Sequence, residues 1–140
     1  MDPEILMKKL ESLGRCLARI KEKRPKNAQE LEADIDTRDI IVINLARAVQ
    51  QCVDIGSHLL ADYPTHSPAT MTAVFDELAK ASLIPGDLAL RLARAVGFRN
   101  IAVHEYEELD WDIVQRIITS GLGDFEDFAR LVLDLLERKA

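Results

Sequence analysis

At 140 residues the chain has the size of one domain, 1–140, and a chain this long hides about two-thirds of its unfolded surface on folding. A hydrophobic fraction of 48% and a charged fraction of 30% fit a globular protein and argue against disorder, and no apolar run approaches the roughly 20 residues that cross a bilayer. The formal charge of −6 excludes a general nucleic-acid coat, because counterion release from phosphates needs surplus Lys and Arg; any phosphate contact has to be local.

Asp2 and Pro3 predict the start of a first helix, with the proline at the position where its missing N–H does no harm. Leu6, Leu10, Leu13, Leu17 and Ile20 recur every three or four residues, and the helix is expected to stop by Arg24, before Pro25. Its end carries Arg19, Lys21, Lys23, Arg24 and Lys26, cations that suit a helix C-terminus. Asn27 and Glu30 predict a small capping box and a short helical turn.

A second long helix is expected to open near Asp36 or Thr37 and run to about Asp62. It is apolar on more than one side, which places it centrally. One polar stripe remains, Asn44, Arg47, Gln51, Asp54 and His58, spaced by three and four residues so that it shares a face. That stripe is either a solvated face or a polar wall, centred on Arg47, Gln51 and Asp54, beside a functional site or across a dimer interface.

After the loop Tyr63–Pro68, in which His66 is expected to be solvated, a third helix is predicted over 69–82 and a fourth from a cap at Asp87, with Gly97 inside it. Glu105 to Leu109 reads as loop and Asp110 as the cap of a helix to Ser120. Gly121 and Gly123 are expected to break the chain before a last helix over 124–138. With no credible strand, the expected architecture is an all-α up-and-down bundle of four to five main helices.

Cys16 and Cys52 lie inside apolar helical patterns and read as buried free thiols of a reducing compartment. No cysteine or histidine spacing points to a metal site. Met1-Asp2-Pro3-Glu4 lacks the basic start and apolar stretch of a secretory leader, so a cytoplasmic location is expected.

The chemistry concentrates in Arg99-Asn100-Ile101-Ala102-Val103-His104-Glu105-Tyr106. With Arg99 at zero on a straight helix, Tyr106 lies at about −20°, Val103 at about 40°, Asn100 at about 100° and His104 at about 140°. The four polar groups then surround Val103, while Ile101 and Ala102 are expected to dock into the core. Arginine is a permanent, forked phosphate clamp, and histidine carries protons near neutral pH. Asn100 is within a turn of His104, in reach to orient its ring or bond a substrate, and Tyr106 has the chemistry to position a phosphate or stack on a base. Arg99 and His104 are out of phase: either the helix ends near His104, or a second chain completes the site. Arg91 and Arg94 lead positive charge toward the run.

The spacing Arg99, four residues, His104, one residue, Tyr106 resembles the R-x4-H-x-Y signature of the HepT-like branch of the HEPN superfamily. Arg38-Asp39-Ile40 opening a long helix and Gly97-Phe98 before the arginine are similar in character, and the resemblance spans about residues 2 to 138. It implies a metal-independent endoribonuclease toxin, homodimeric, with Arg99 and His104 catalytic and the two motifs facing each other in a cleft. It also implies an RNA substrate, tRNA among the candidates, and a MntA-like nucleotidyltransferase antitoxin that attaches AMP to Tyr106. ATP and a divalent metal would belong to that partner, with no cofactor in this chain. The alternative is a non-catalytic helical partner protein that binds a nucleotidyltransferase and its nucleotide through the same residues.

Overall fold

Asp2 starts the first helix by accepting the N–H of Glu4 at 3.0 Å and of Ile5 at 3.4 Å, so two otherwise orphaned donors are satisfied. In the computed structural model, which describes residues 1–139, that helix is α1, Pro3–Lys23. There follow α2 (Ala28–Ala33), α3 (Ile35–Leu60), α4 (Met71–Lys80), α5 (Gly86–His104), a 3-10 turn (Tyr106–Glu108), α6 (Trp111–Arg116), a π turn (Ile117–Gly121) and α7 (Leu122–Lys139). The described residues contain no strand, and five long helices make the expected all-α bundle. Among the described residues no helix is long and apolar enough to cross a membrane.

The most apolar helix is the central one. α3 packs on α1, α4 and α5 and touches α7, burying residues on several sides, among them Ile41, Leu45, Cys52 and Ile55. Each large aliphatic side chain taken fully out of water contributes about 1.5–3 kcal/mol, which outweighs the β-branched residues' weak helix propensity here. Phe75 of α4 and Phe128 of α7 meet edge-to-face, ring centroids 6.0 Å apart, and tie the middle of the chain to its last helix. Cys16 and Cys52 are free and buried, and burial raises both thiols, Cys52 far above the ordinary range.

Several boundaries differ from the sequence expectation, each for a local reason. α3 opens at Ile35, because the carboxylate of Asp34 takes the Thr37 N–H at 3.1 Å. α4 is shorter than 69–82, since Thr70 caps its start and Ser82 leaves the helix with φ of 60°. Asp87 is no cap. Pro85 holds the cap position without a side-chain bond, and the Asp87 carboxylate turns to Arg91 at 3.1 Å.

The expected break at Gly121 and Gly123 is absent: α6 runs through the π turn into α7. Two groups from the α1–α2 connection hold that turn, with Arg24 donating to the Ile118 carbonyl at 2.9 Å and Gln115 to the Pro25 carbonyl at 3.1 Å. His66 is half-buried rather than solvated, its Nδ1 3.0 Å from Glu77 Oε2.

Candidate active site

α5 ends at His104, where the Glu105 N–H still reaches the Ile101 carbonyl at 2.8 Å but the backbone of Glu105 has left the helix. A single 3-10 turn follows, closed by the bond from the Leu109 N–H to the Tyr106 carbonyl at 3.1 Å. Asp110 then caps α6 by accepting from Asp112 at 3.0 Å and Ile113 at 3.4 Å. The motif therefore lies at the end of a rigid helix and the start of a tight corner, both fixed by backbone bonds.

Arg99 is half-buried and His104 is exposed. The buried side chains of α5, Leu92, Val96 and Ala102, fall around the phase of Arg99, whereas His104 sits about 140° around the helix. No hydrogen bond or ion pair joins the two among the described residues, so the phase gap seen in the sequence persists within one chain. Asn100 is turned to the arginine, not to the imidazole: its Oδ1 accepts from the Arg99 guanidinium at 3.2 Å. Ala102 docks in the core as expected. Ile101 does not; it is 40% exposed and Val103 51%, leaving apolar surface between the two polar groups.

Tyr106 belongs to a different set of neighbours. Its hydroxyl donates to the carboxylate of Asp39 on α3, 67 residues earlier in the chain. Its ring meets Trp111 edge-on with centroids 5.9 Å apart, and the guanidinium of Arg38 lies over Trp111 at 5.3 Å from the ring centre. Arg38 is pinned by a bond to the Glu32 carbonyl at 3.0 Å. Partial burial, then the hydrogen bond and charge of Asp39, push the Tyr106 phenol up to about 12, with Arg38 pulling weakly the other way. Asp39, Arg38 and Trp111 were not singled out as site residues from the sequence. The only signal was that Arg38-Asp39 opens the long helix; nothing in helical spacing pairs it with residue 106.

The polar stripe of α3 faces away from the motif. Arg47, Gln51 and Asn44 line a concavity with Arg15 and Arg19 of α1, and Asp54 accepts from Gln50 at 2.8 Å and pairs with Lys9 at 3.6 Å. Leu45 and Val49, on the other side of α3, are the residues turned toward α5. Of the arginines leading to the motif, Arg91 is locked between Asp87 at 3.1 Å and Asp124 at 2.8 Å. Arg94 instead rims an apolar groove of about 550 Å³ between α5 and α6, floored by Val49, Phe98, Ile101, Leu109 and Ile113. Among the described residues no cluster of three or more His, Cys, Asp or Glu side chains is arranged to hold a metal ion.

The model of the ribonuclease HepT-like family matches residues 13–132. The chain is 33% identical over 129 residues to the mRNA nuclease HepT of Shewanella oneidensis, covering 92% of this chain and 96% of that protein. It is 26% identical over 132 residues to the tRNA nuclease HepT of Aphanizomenon flos-aquae, 94% of this chain and 90% of the relative. Its fold superposes with a TM-score of 0.88 on the tri-AMPylated Shewanella oneidensis HEPN toxin in complex with MNT antitoxin, 32% identical, covering 96% of this chain and 99% of that one. The chain belongs to the ribonuclease HepT-like family of HEPN toxins.

Proposed function

We propose that Arg99 and His104 form the RNA-cleaving centre of this chain, a toxin endoribonuclease that an MNT-type nucleotidyltransferase silences by attaching AMP to Tyr106. The observation that carries the reading is the fixed corner at the end of α5, where an arginine, an exposed histidine and, one turn on, a tyrosine follow at the family spacing.

Cleavage needs a base to take the proton of a ribose 2′-hydroxyl, a cation to hold the phosphoryl oxygens as charge builds, and an acid for the departing 5′-oxygen. Exposed His104 has the proton-carrying chemistry, and Arg99, steadied by Asn100, has the forked cation. The two are out of phase on one helix, which fits a homodimer in which each motif completes the other. Ile101, Ile113 and Leu109, in the groove beside the motif, offer apolar surface for the second copy.

AMP on Tyr106 would place a bulky anion at the corner two residues after His104, beside Arg38, where it would compete with the phosphate of an RNA strand. ATP and its divalent ion belong to the nucleotidyltransferase. The RNA relatives act on are messenger in one case and transfer in the other, so the substrate class is RNA and both kinds are to be assayed.

The test is cleavage of total RNA by purified protein. Arg99→Ala and His104→Ala should each remove about 100-fold or more of the activity while leaving the melting temperature unchanged, the size expected for a lost acid–base or charge-stabilising group. Full activity in either soluble variant would contradict the assignment.

A further inference from the structure

The hydroxyl that accepts AMP in the reading above already has a carboxylate on it. Asp39 reaches Tyr106 from α3; the tyrosine ring rests against Trp111 at 5.9 Å, and Arg38, next to Asp39 in the chain, is held by its bond to Glu32 at 3.0 Å and its stack over Trp111. We propose that Asp39 is the proton acceptor for AMP transfer, so that this chain brings its own base to the reaction by which its partner silences it. The proposal rests on Tyr106 being the AMP acceptor.

In the step, the Tyr106 oxygen attacks the α-phosphorus of ATP. The bond from that oxygen to phosphorus forms, and the bond from phosphorus to the oxygen bridging to the β-phosphate breaks. Pyrophosphate leaves with the electron pair, and the hydroxyl proton passes to the Asp39 carboxylate. A base for a weak oxygen nucleophile must lie within hydrogen-bond reach of its proton, as Asp39 does. The fixed charge of Arg38 lies alongside to offset the negative charge that builds on the phenol oxygen. The phenol's resistance to ionisation, at about 12, means that free tyrosinate is scarce near neutrality, so the proton has to leave during the attack.

The plainer role of the same contact is a tether for the 3-10 turn, and one substitution separates the two. Asp39→Asn still accepts a hydrogen bond from the tyrosine but takes no proton at neutral pH. Asp39→Glu keeps a carboxylate. The experiment follows transfer of labelled AMP from ATP and magnesium to the full chain by a purified MntA-type nucleotidyltransferase, at saturating partner, with Tyr106→Phe as the blank. Transfer should fall about 100-fold in Asp39→Asn and recover at least tenfold from that level in Asp39→Glu, with both variants binding the partner as the wild type does. Transfer to Asp39→Asn within threefold of wild type would overturn the inference and leave the AMP-acceptor reading standing. Equal loss in Asn and Glu variants would also overturn it, since a shared defect marks a tether. No label on the wild-type chain would overturn the acceptor reading itself.

Discussion

The Asp39–Tyr106 contact makes a solution prediction that needs neither RNA nor a partner. Desolvation and the Asp39 charge both favour the neutral phenol, so its ionisation is held up to about 12 in the folded chain against about 10 in an unfolded one. A group raised on folding adds stability that is complete below its unfolded value and disappears as pH climbs through the folded one. Stability should therefore decline between about pH 10 and 12 through this residue, and less so in Tyr106→Phe. The difference in tyrosinate absorbance between wild type and Tyr106→Phe should titrate near 12; a midpoint near 10 would mean that the phenol does not meet Asp39 in solution. At this scale the sequence revealed residue types and left out partners. Arg99, His104 and Tyr106 were legible as a spacing. The pairing of residue 106 with residue 39 was not, because it depends on how α3 and the corner after α5 approach in space.

Between elements, α3 and α4 approach closely at Gly56. A Cβ there would meet Val74 Cγ1 at 2.5 Å and Leu78 Cδ1 at 3.0 Å, and both neighbours are buried. Gly56→Ala should cost about 1–3 kcal/mol by overpacking, read as a lower melting temperature; an unchanged value would show that the two helices separate without cost. The glycines of the last helices behave differently. Gly121 and Gly123 read as a break because each costs about 1 kcal/mol inside a helix. Leu122, Phe125, Phe128 and Val132 are buried on one continuous face, and their burial exceeds that cost. The π turn lets the chain pass without a gap, with the Arg24 guanidinium on the carbonyl of Ile118. In the sequence Arg24 is one of several cations that suit a helix C-terminus. Its target lies 94 residues away, beyond what a local pattern reveals. By contrast α1 was legible because its cap, Asp2, and its buried face, Leu6, Leu10, Leu13, Leu17 and Ile20, are both local signals. The site of the first cap of α5 was misread because Asp87 had a stronger partner in Arg91, four residues on.

At the scale of the molecule, an acidic chain that acts on RNA has to confine its positive charge. Two features do so. Arg91 is neutralised by Asp87 and Asp124, while Arg94 and Arg99 have no carboxylate partner among the described residues. The charge gradient along α5 therefore points at the motif rather than spreading over the surface. The groove beside the motif, with the exposed Ile101 and Ile113, is one of the apolar surfaces that the chain leaves open to solvent. Gel filtration with light scattering at micromolar concentration should give the mass of a dimer, and a clean monomer would undo the composite site. The bundle itself was legible from periodicity, since each long helix repeats its apolar residues every three or four positions. The direction of the α3 polar stripe was not legible. Periodicity says that Arg47, Gln51 and Asp54 share a face, and only the packing of Leu45 and Val49 toward α5 turns that face to α1. The central claim, that this chain cleaves RNA through the end of α5, is tested most directly by inducing wild type and His104→Ala side by side in cells and separating total RNA on a gel. Growth arrest with discrete RNA fragments in the wild type alone is the predicted result. Intact RNA and unimpaired growth with both proteins soluble, or arrest and cleavage by His104→Ala equal to the wild type's, would contradict it.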